Sequence, residues 1–207
     1  HTFISGIELE DYDYKSYIIR SRDSFDLNIN QPYNTQPLPE LVNVTTNDRE
    51  QLKSQAFFVQ DQIRITDRLN TLIAMRFENY KQDYSNFVNN SSWSTDNNAF
   101  IPRVGLTYDL TDQLTVYSNI SKSFKPNSGA DRNNQGFDPE EGISYEIGSK
   151  YALLDNQLSF DTAMYYVKKE NVLTLDPLDF TKSIAAGEVT SKGIDLSLVG
   201  NMTPAWK

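Results

Sequence analysis

Carboxylates are the residues whose spacing in this chain first suggests chemistry. Glu140 and Glu141 follow Asp138 and Pro139, and Asp11 alternates with Asp13 near the start. Two carboxylates make an acid and a base only where burial or a neighbour drives their pKa values apart. Neither pair has a basic or nucleophilic partner in its segment, and both lie where loop or strand top is expected. A solvated loop accounts for them, and no catalytic residue is assigned. The run from Asp131 to Asp138 invites calcium, but it lacks the Asp-x-Asp-x-Asp-Gly order of a calcium loop. With no cysteine and a single histidine, His1, thiolate nucleophiles, zinc sites and disulfides also drop out. No metal site and no covalently held cofactor is expected, and the chain does not read as an enzyme.

The bulk composition narrows the remaining classes. Phosphate-backbone binding needs clustered Lys and Arg, and a net charge of -9 removes nucleic acid from the list of partners. Hydrophobic residues reach only 38%, yet there are 12 Tyr and 11 Phe, which is not the composition of a helical bundle. No run of about 18 apolar residues is present, so no membrane helix is expected. Membrane strands are different, because they alternate apolar and polar residues and do not raise the average hydropathy.

Short turn-like strings recur along the chain, at Thr66-Asp67-Arg68-Leu69, Thr111-Asp112-Gln113-Leu114, Leu154-Asp155-Asn156-Gln157-Leu158 and Gly200-Asn201-Met202-Thr203-Pro204. Taking Asp67, Asp112, Asn156 and Asn201 as markers, the separations are 45, 44 and 45 residues, which implies a repeated supersecondary unit. The flanking stretches alternate with period two, the strand template. Phe57, Val59, Ile63 and Ile65 share one face against Gln60, Gln62 and Arg64, and Val104, Leu106 and Tyr108 oppose Arg103, Gly105 and Thr107. Between these pairs, residues 21–50, 85–98, 125–142 and 176–186 are polar and read as long loops by composition, against short turns near 66–70, 110–113, 154–157 and 200–205. Tight turns on one side and long loops on the other are the asymmetry of an outer-membrane barrel. A β-propeller shares the period, but a blade divides it into four short strands where this chain fills it with two tall ones. An all-β fold follows, an antiparallel transmembrane β-barrel segment of about eight strands in one domain. A soluble propeller-like binding module and a plug-free diffusion porin are the alternatives.

The strings Gln55-Ala56-Phe57-Phe58-Val59-Gln60-Asp61-Gln62, Pro102 to Tyr108, Val116 to Pro126, Tyr145 to Tyr151, Lys169 to Leu173 with Asp176-Pro177, and Gly187 to Leu196 occur in one order and spacing. In that order they resemble the barrel of TonB-dependent siderophore receptors of the ferric hydroxamate, or ferrichrome, type. The resemblance implies a larger 22-stranded barrel in the bacterial outer membrane, closed by a plug, of which this chain supplies part of the wall. It reads as a fragment without the plug or the TonB box. The resemblance also implies import of a ferric siderophore, driven by the TonB-ExbB-ExbD complex acting through the missing N-terminal part, with outer-membrane lipid around the wall.

Bulky chelates are held by aromatic side chains with a few orienting polar groups. On the resemblance, the ligand-binding candidates are Tyr12, Tyr14, Tyr33, Tyr80, Tyr84, Trp93 and Tyr117. Trp93 stands out, as an aromatic in a polar loop with no evident core to fill. The lumen-facing charges Arg76, Glu78, Arg103, Glu146, Lys150 and Asp195 are expected to pair with the plug or across the wall, since unpaired buried charges are costly.

Overall fold

The computed structural model describes residues 1–20, 30, 43–154, 157–185 and 187–200. Its strands are β1 (Thr2–Arg20), β2 (Asn43–Arg64), β3 (Leu69–Asn86), β4 (Ser91–Asp109), β5 (Leu114–Lys125), β6 (Glu140–Leu153), β7 (Leu158–Glu170), β8 (Leu173–Asp176), β9 (Asp179–Ala185) and β10 (Glu188–Gly200). Eight of them form one antiparallel sheet in the order β1-β2-β3-β4-β5-β6-β7-β10, and β8 and β9 make a separate hairpin. A single meander of tall strands excludes the four-stranded blades of a propeller. The sheet has β1 and β10 as edges among the described residues, so it is a wall and not a small closed barrel.

Threonine fixes the two short turns described in full. Thr66 Oγ1 accepts hydrogen bonds from the amides of Arg68 (3.3 Å) and Leu69 (3.0 Å), and Thr111 Oγ1 accepts from Gln113 (3.2 Å) and Leu114 (3.0 Å). A hydroxyl that binds its own backbone two and three residues on holds a turn closed. The third turn places Leu154 at φ 51 and closes through Gln157 N to Leu154 O at 3.0 Å. The fourth, with Trp206, lies outside the described residues.

Cross-strand register then sorts the side chains. One face carries the rows Ile7–Phe57–Phe77–Phe100, Ile73–Val104–Ile120–Tyr145–Tyr166 and Ile147–Met164–Ile194. These rings and chains stay exposed, Phe77 at 51% and Phe100 at 56%. On β3 the apolar stretch runs from Leu69 to Phe77. At about 3.4 Å per residue that is roughly 27 Å along the strand, close to the length of a tilted membrane strand. Above it the same face turns polar, with Lys53 opposite Lys81 and Lys81 opposite Asp96. Tyr145 and Tyr166, ring centroids 6.4 Å apart, add amphipathic rings to this face on β6 and β7, of the kind that suits a membrane interface.

The opposite face is polar and small. Three of its aromatics lie over directly opposed glycines: Phe58 over Gly6, Tyr117 over Gly148 and Tyr165 over Gly193. A Cβ on those glycines would come within 2.6, 2.6 and 2.7 Å of the respective side chains. Glycine at these positions leaves room for the ring to lie over the neighbouring strand.

The composition-based loop boundaries need correction. Residues 43–50 are strand, and 85–98 are almost wholly so, the chain turning only over 87–90. Asn86 Oδ1 accepts from the amides of Val88 (2.9 Å) and Asn89 (3.1 Å), and Asn90 takes a left-handed φ of 56. This side-chain turn lets strands made of Ser, Thr, Asp and Asn reverse tightly, and their polarity disguised them as loop. The expected loop at 176–186 is mostly the β8–β9 hairpin, within a connection that begins at Asn171. Among the described residues only 126–139 is a long irregular segment. Of the expected loop at 21–50, most lies outside the described residues.

Pro102 explains where β4 parts from β5. Asp109 N bonds to Arg68 O (2.8 Å) toward β3, whereas Leu110 N bonds to Leu114 O (2.9 Å) toward β5. Backbone groups alternate along a strand, so even-numbered residues of β4 face β5. The ladder ends at Arg103 opposite Ser121, next to Pro102, which has no N–H to give β5.

Candidate functional site

Every described candidate named from sequence falls on one face of the wall, opposite the apolar rows. The register places Tyr14, Glu50, Tyr84 and Trp93 in one row, Glu8, Ala56, Glu78 and Ala99 in another, and Tyr117 and Asp195 lower down in a shared row with Gly148. Arg76, Arg103, Glu146 and Lys150 follow the same alternation. Tyr33 lies outside the described residues.

The aromatics divide into a covered and an open group. After Lys125 the chain bends across this face, and the Phe124 ring meets Tyr80 at 5.2 Å. Residues 126–139 then lie over β3 and β4. Asn127 pins them: its Nδ2 donates to Asp138 O and Asn171 O at 2.8 Å each, and its carbonyl accepts from Gln82 Nε2 at 3.0 Å. Gln82 also donates to Glu50. Gly136 packs on the Trp93 indole, where a Cβ would come within 2.8 Å. Tyr80 is 1% exposed and Tyr84 8%. Both lie above the apolar stretch, and burial pushes both phenols above their ordinary pKa, so they remain protonated.

Trp93 is therefore not a loop residue in search of a core. It belongs to β4, stacks on Tyr84 at 5.5 Å and 19°, and forms part of the small core under residues 126–139. Its indole Nε1 is buried with no hydrogen-bond partner among the described residues. Tyr12 and Tyr14, by contrast, are each 50% exposed and stack at 6.3 Å with their planes 6° apart. They form an open aromatic shelf on β1, separated from the covered group by β2. Tyr117 stands apart, in a lower concavity lined by Arg103, Asn119, Glu146 and Lys150.

The charges divide as well. Arg76 makes a fork to Glu8 at 2.9 and 3.2 Å and donates to Glu78 at 2.9 Å, so one guanidinium ties two carboxylates together from β1 to β3. For Arg103, Glu146, Lys150 and Asp195 no ion pair within 4 Å is present among the described residues. A second tether joins the covering segment to the β8–β9 hairpin, Arg132 to the fully buried Asp176 at 2.8 Å. Sequence reasoning missed Glu8, Gln82, Asn127 and Arg132. Glu8 and Gln82 were within reach, because each shares the alternation of the candidates beside it. Asn127 and Arg132 sit in irregular chain, where no periodicity points to a partner.

Comparison with known proteins gives the arrangement its context. Residues 1–207 match the family described as TonB dependent receptor-like, beta-barrel. The metal-pseudopaline receptor CntO of Pseudomonas aeruginosa is 37% identical over 98% of this chain, and the ferric-pyoverdine 358 receptor of Pseudomonas putida is 27% identical over 100%. The chain spans 30% and 26% of those relatives, respectively. Among solved structures, the ferric-catecholate import receptor Fiu of Escherichia coli K12 superimposes with a TM-score of 0.73 at 21% identity, covering 98% of this chain and 33% of that one. The siderophore receptor PiuA of Acinetobacter baumannii gives 0.70 at 22%, with the same coverage.

Proposed function

Because the chain belongs to the TonB-dependent receptor family, as part of its outer-membrane β-barrel, we propose that the protein imports a metal–siderophore chelate into the periplasm. The family is one of transport receptors and not of enzymes. The observation that carries the proposal is the open Tyr12–Tyr14 shelf, on the inner face and above the apolar stretch. Flat, half-exposed rings bind a bulky chelate without having to be uncovered first. Tyr80, Tyr84 and Trp93 serve the chelate indirectly, by holding residues 126–139 over the lumen. The open charges Arg103, Glu146, Lys150 and Asp195 meet a plug that fills the lumen, while Arg76 and Glu78 brace the wall through Glu8. TonB, with ExbB and ExbD, supplies the energy through that plug.

Ferric hydroxamate is the chelate proposed first, from the likeness of the wall strands to ferrichrome-type receptors. A second reading, a metal–pseudopaline complex, is favoured by the 37% identity to CntO. Titration of the full-length, detergent-purified receptor with ferrichrome, ferric pyoverdine and metal–pseudopaline separates them. Saturable tryptophan quenching by ferrichrome, weakened in Tyr12→Ala and Tyr14→Ala, supports the first. Quenching by metal–pseudopaline alone transfers the assignment to the second. No response to any of the three chelates sinks both readings and leaves the receptor with a cargo of another class.

A further inference from the structure

We propose that the upper half of β4 is a strand-addition site, which takes an extended segment of another protein as an extra antiparallel strand on the side of the wall that faces outward. Above Pro102 the β5-facing groups of β4 have lost their partner strand. By the alternation set at Asp109 and Leu110, these are the N–H and C=O of Ser92, Ser94, Asp96, Asn98 and Phe100. Among the described residues no backbone group of another element bonds to them. The strand that would have covered them has been diverted, since β5 ends at Lys125 and its continuation is pinned to the inner face through Asn127 and Gly136. This gap lies between two strands both present in the chain, unlike the edges at β1 and β10. A row of unpaired backbone groups is a template for another strand, and proteins recruit peptides in this way.

The flanking side chains select the segment. Between Ser91 and Pro102 the one ionisable residue is Asp96, and with Lys81 and Asp83 beside it the outer patch carries one net negative charge. Phe100, 56% exposed on that same face, lies four residues further along β4. A strand running antiparallel to β4 meets Phe100 first and Asp96 four residues later. The segment thus carries an apolar residue four positions before a Lys or Arg, with backbone bonds providing the rest of the affinity.

The test uses the full-length receptor in detergent and a fluorescein-labelled peptide, Thr-Val-Thr-Ile-Thr-Val-Thr-Lys-Thr-Val, read by anisotropy. Saturable binding is expected. It should weaken by about tenfold or more when the β4-facing amides of the peptide are N-methylated, as lost backbone hydrogen bonds require. Ser94→Pro should do the same and Ser94→Ala should not. The even-numbered amides take no part in the β3–β4 ladder, so the proline variant keeps that pairing; should it fail to fold, the N-methylated peptide decides. Asp96→Lys should lose the peptide and regain it when the peptide Lys is replaced by Glu. Absent binding, or equal binding of the N-methylated peptide, overturns the proposal. Slow hydrogen exchange at Ser92, Ser94, Asp96 and Asn98 in the peptide-free receptor also overturns it, because the receptor's own chain would then cover the edge.

Discussion

The lower and upper halves of β3 and β4 follow the same two-residue alternation, yet they bury opposite faces. Low on the wall, Ile73, Met75 and Val104 point outward and stay exposed, while the inner partners are Arg76, Glu78 and Arg103. Higher up, the outward positions are Lys81, Asp83 and Asp96, and it is the inner rings of Tyr80, Tyr84 and Trp93 that pack. The surroundings decide. Lipid receives an apolar outer face at no cost, whereas water does not, so above the membrane the chain must supply its own cover. Residues 126–139 are that cover. Alternation alone reports a strand; which of its faces is buried depends on height.

The largest effect should come from breaking the lower half. Ile73 sits midway between Leu69 and Phe77, and Ile73→Arg should destabilise the full-length barrel in lipid vesicles by about 2–4 kcal/mol, as a cation at the bilayer midplane does. Ala74→Arg, one residue along and facing inward, should cost far less in the same denaturant titration. In the upper half, Trp93→Ala removes a half-buried ring and should cost about 1–2 kcal/mol, below the range for full burial. Amides of 126–139 should then exchange faster with deuterium. Trp93→Phe keeps the stack on Tyr84 and removes the unpartnered indole N–H, so it should leave exchange unchanged or slower. Equal exchange in all three proteins would show that the ring does not hold the cover. Asn86→Ala removes two turn hydrogen bonds and should cost on the order of 1 kcal/mol, with the loss in protection confined to residues 84–93.

The smallest effect concerns the Arg49–Asp13 fork above the membrane, whose bonds measure 2.8 and 3.0 Å. Hydrogen bonding to the Arg49 guanidinium holds the Asp13 carboxyl below its ordinary pKa. The sign follows: the fork contributes above the unfolded carboxylate pKa and is lost as pH falls through the depressed one. NMR titration of Asp13 should show Arg49→Gln returning it toward the ordinary range, and an unchanged titration would mean that the fork is not maintained in solution.

Much of this fold was legible because turns and alternation are local. Thr66 and Thr111 announced their turns by type and spacing, and the inner and outer faces of β3 and β4 followed from the order of their residues. Strand tops were not legible, because Ser91 to Asn98 has loop composition and becomes strand only through the Asn86 turn and pairing with β3. The site was half legible. Register places the described candidates on a common face, but nothing in the sequence says that Tyr84 is covered while Tyr14 is not. That distinction depends on Asn127 and Gly136, whose contacts are distant in sequence and carry no period.

The rings that lie over Gly6, Gly148 and Gly193 have a consequence for the shape of the inner face. An upright aromatic on a lumen wall would narrow the bore, whereas one lying along the backbone spends its bulk sideways and leaves clearance close to that of a bare wall. Each glycine thus acts as a recess that takes in a large side chain from the neighbouring strand. A Cβ at Gly6 or Gly193 would displace the ring, and at Gly148 it would also meet the Thr162 carbonyl oxygen at 2.5 Å, so the relief of this face is set by residues that present no side chain at all.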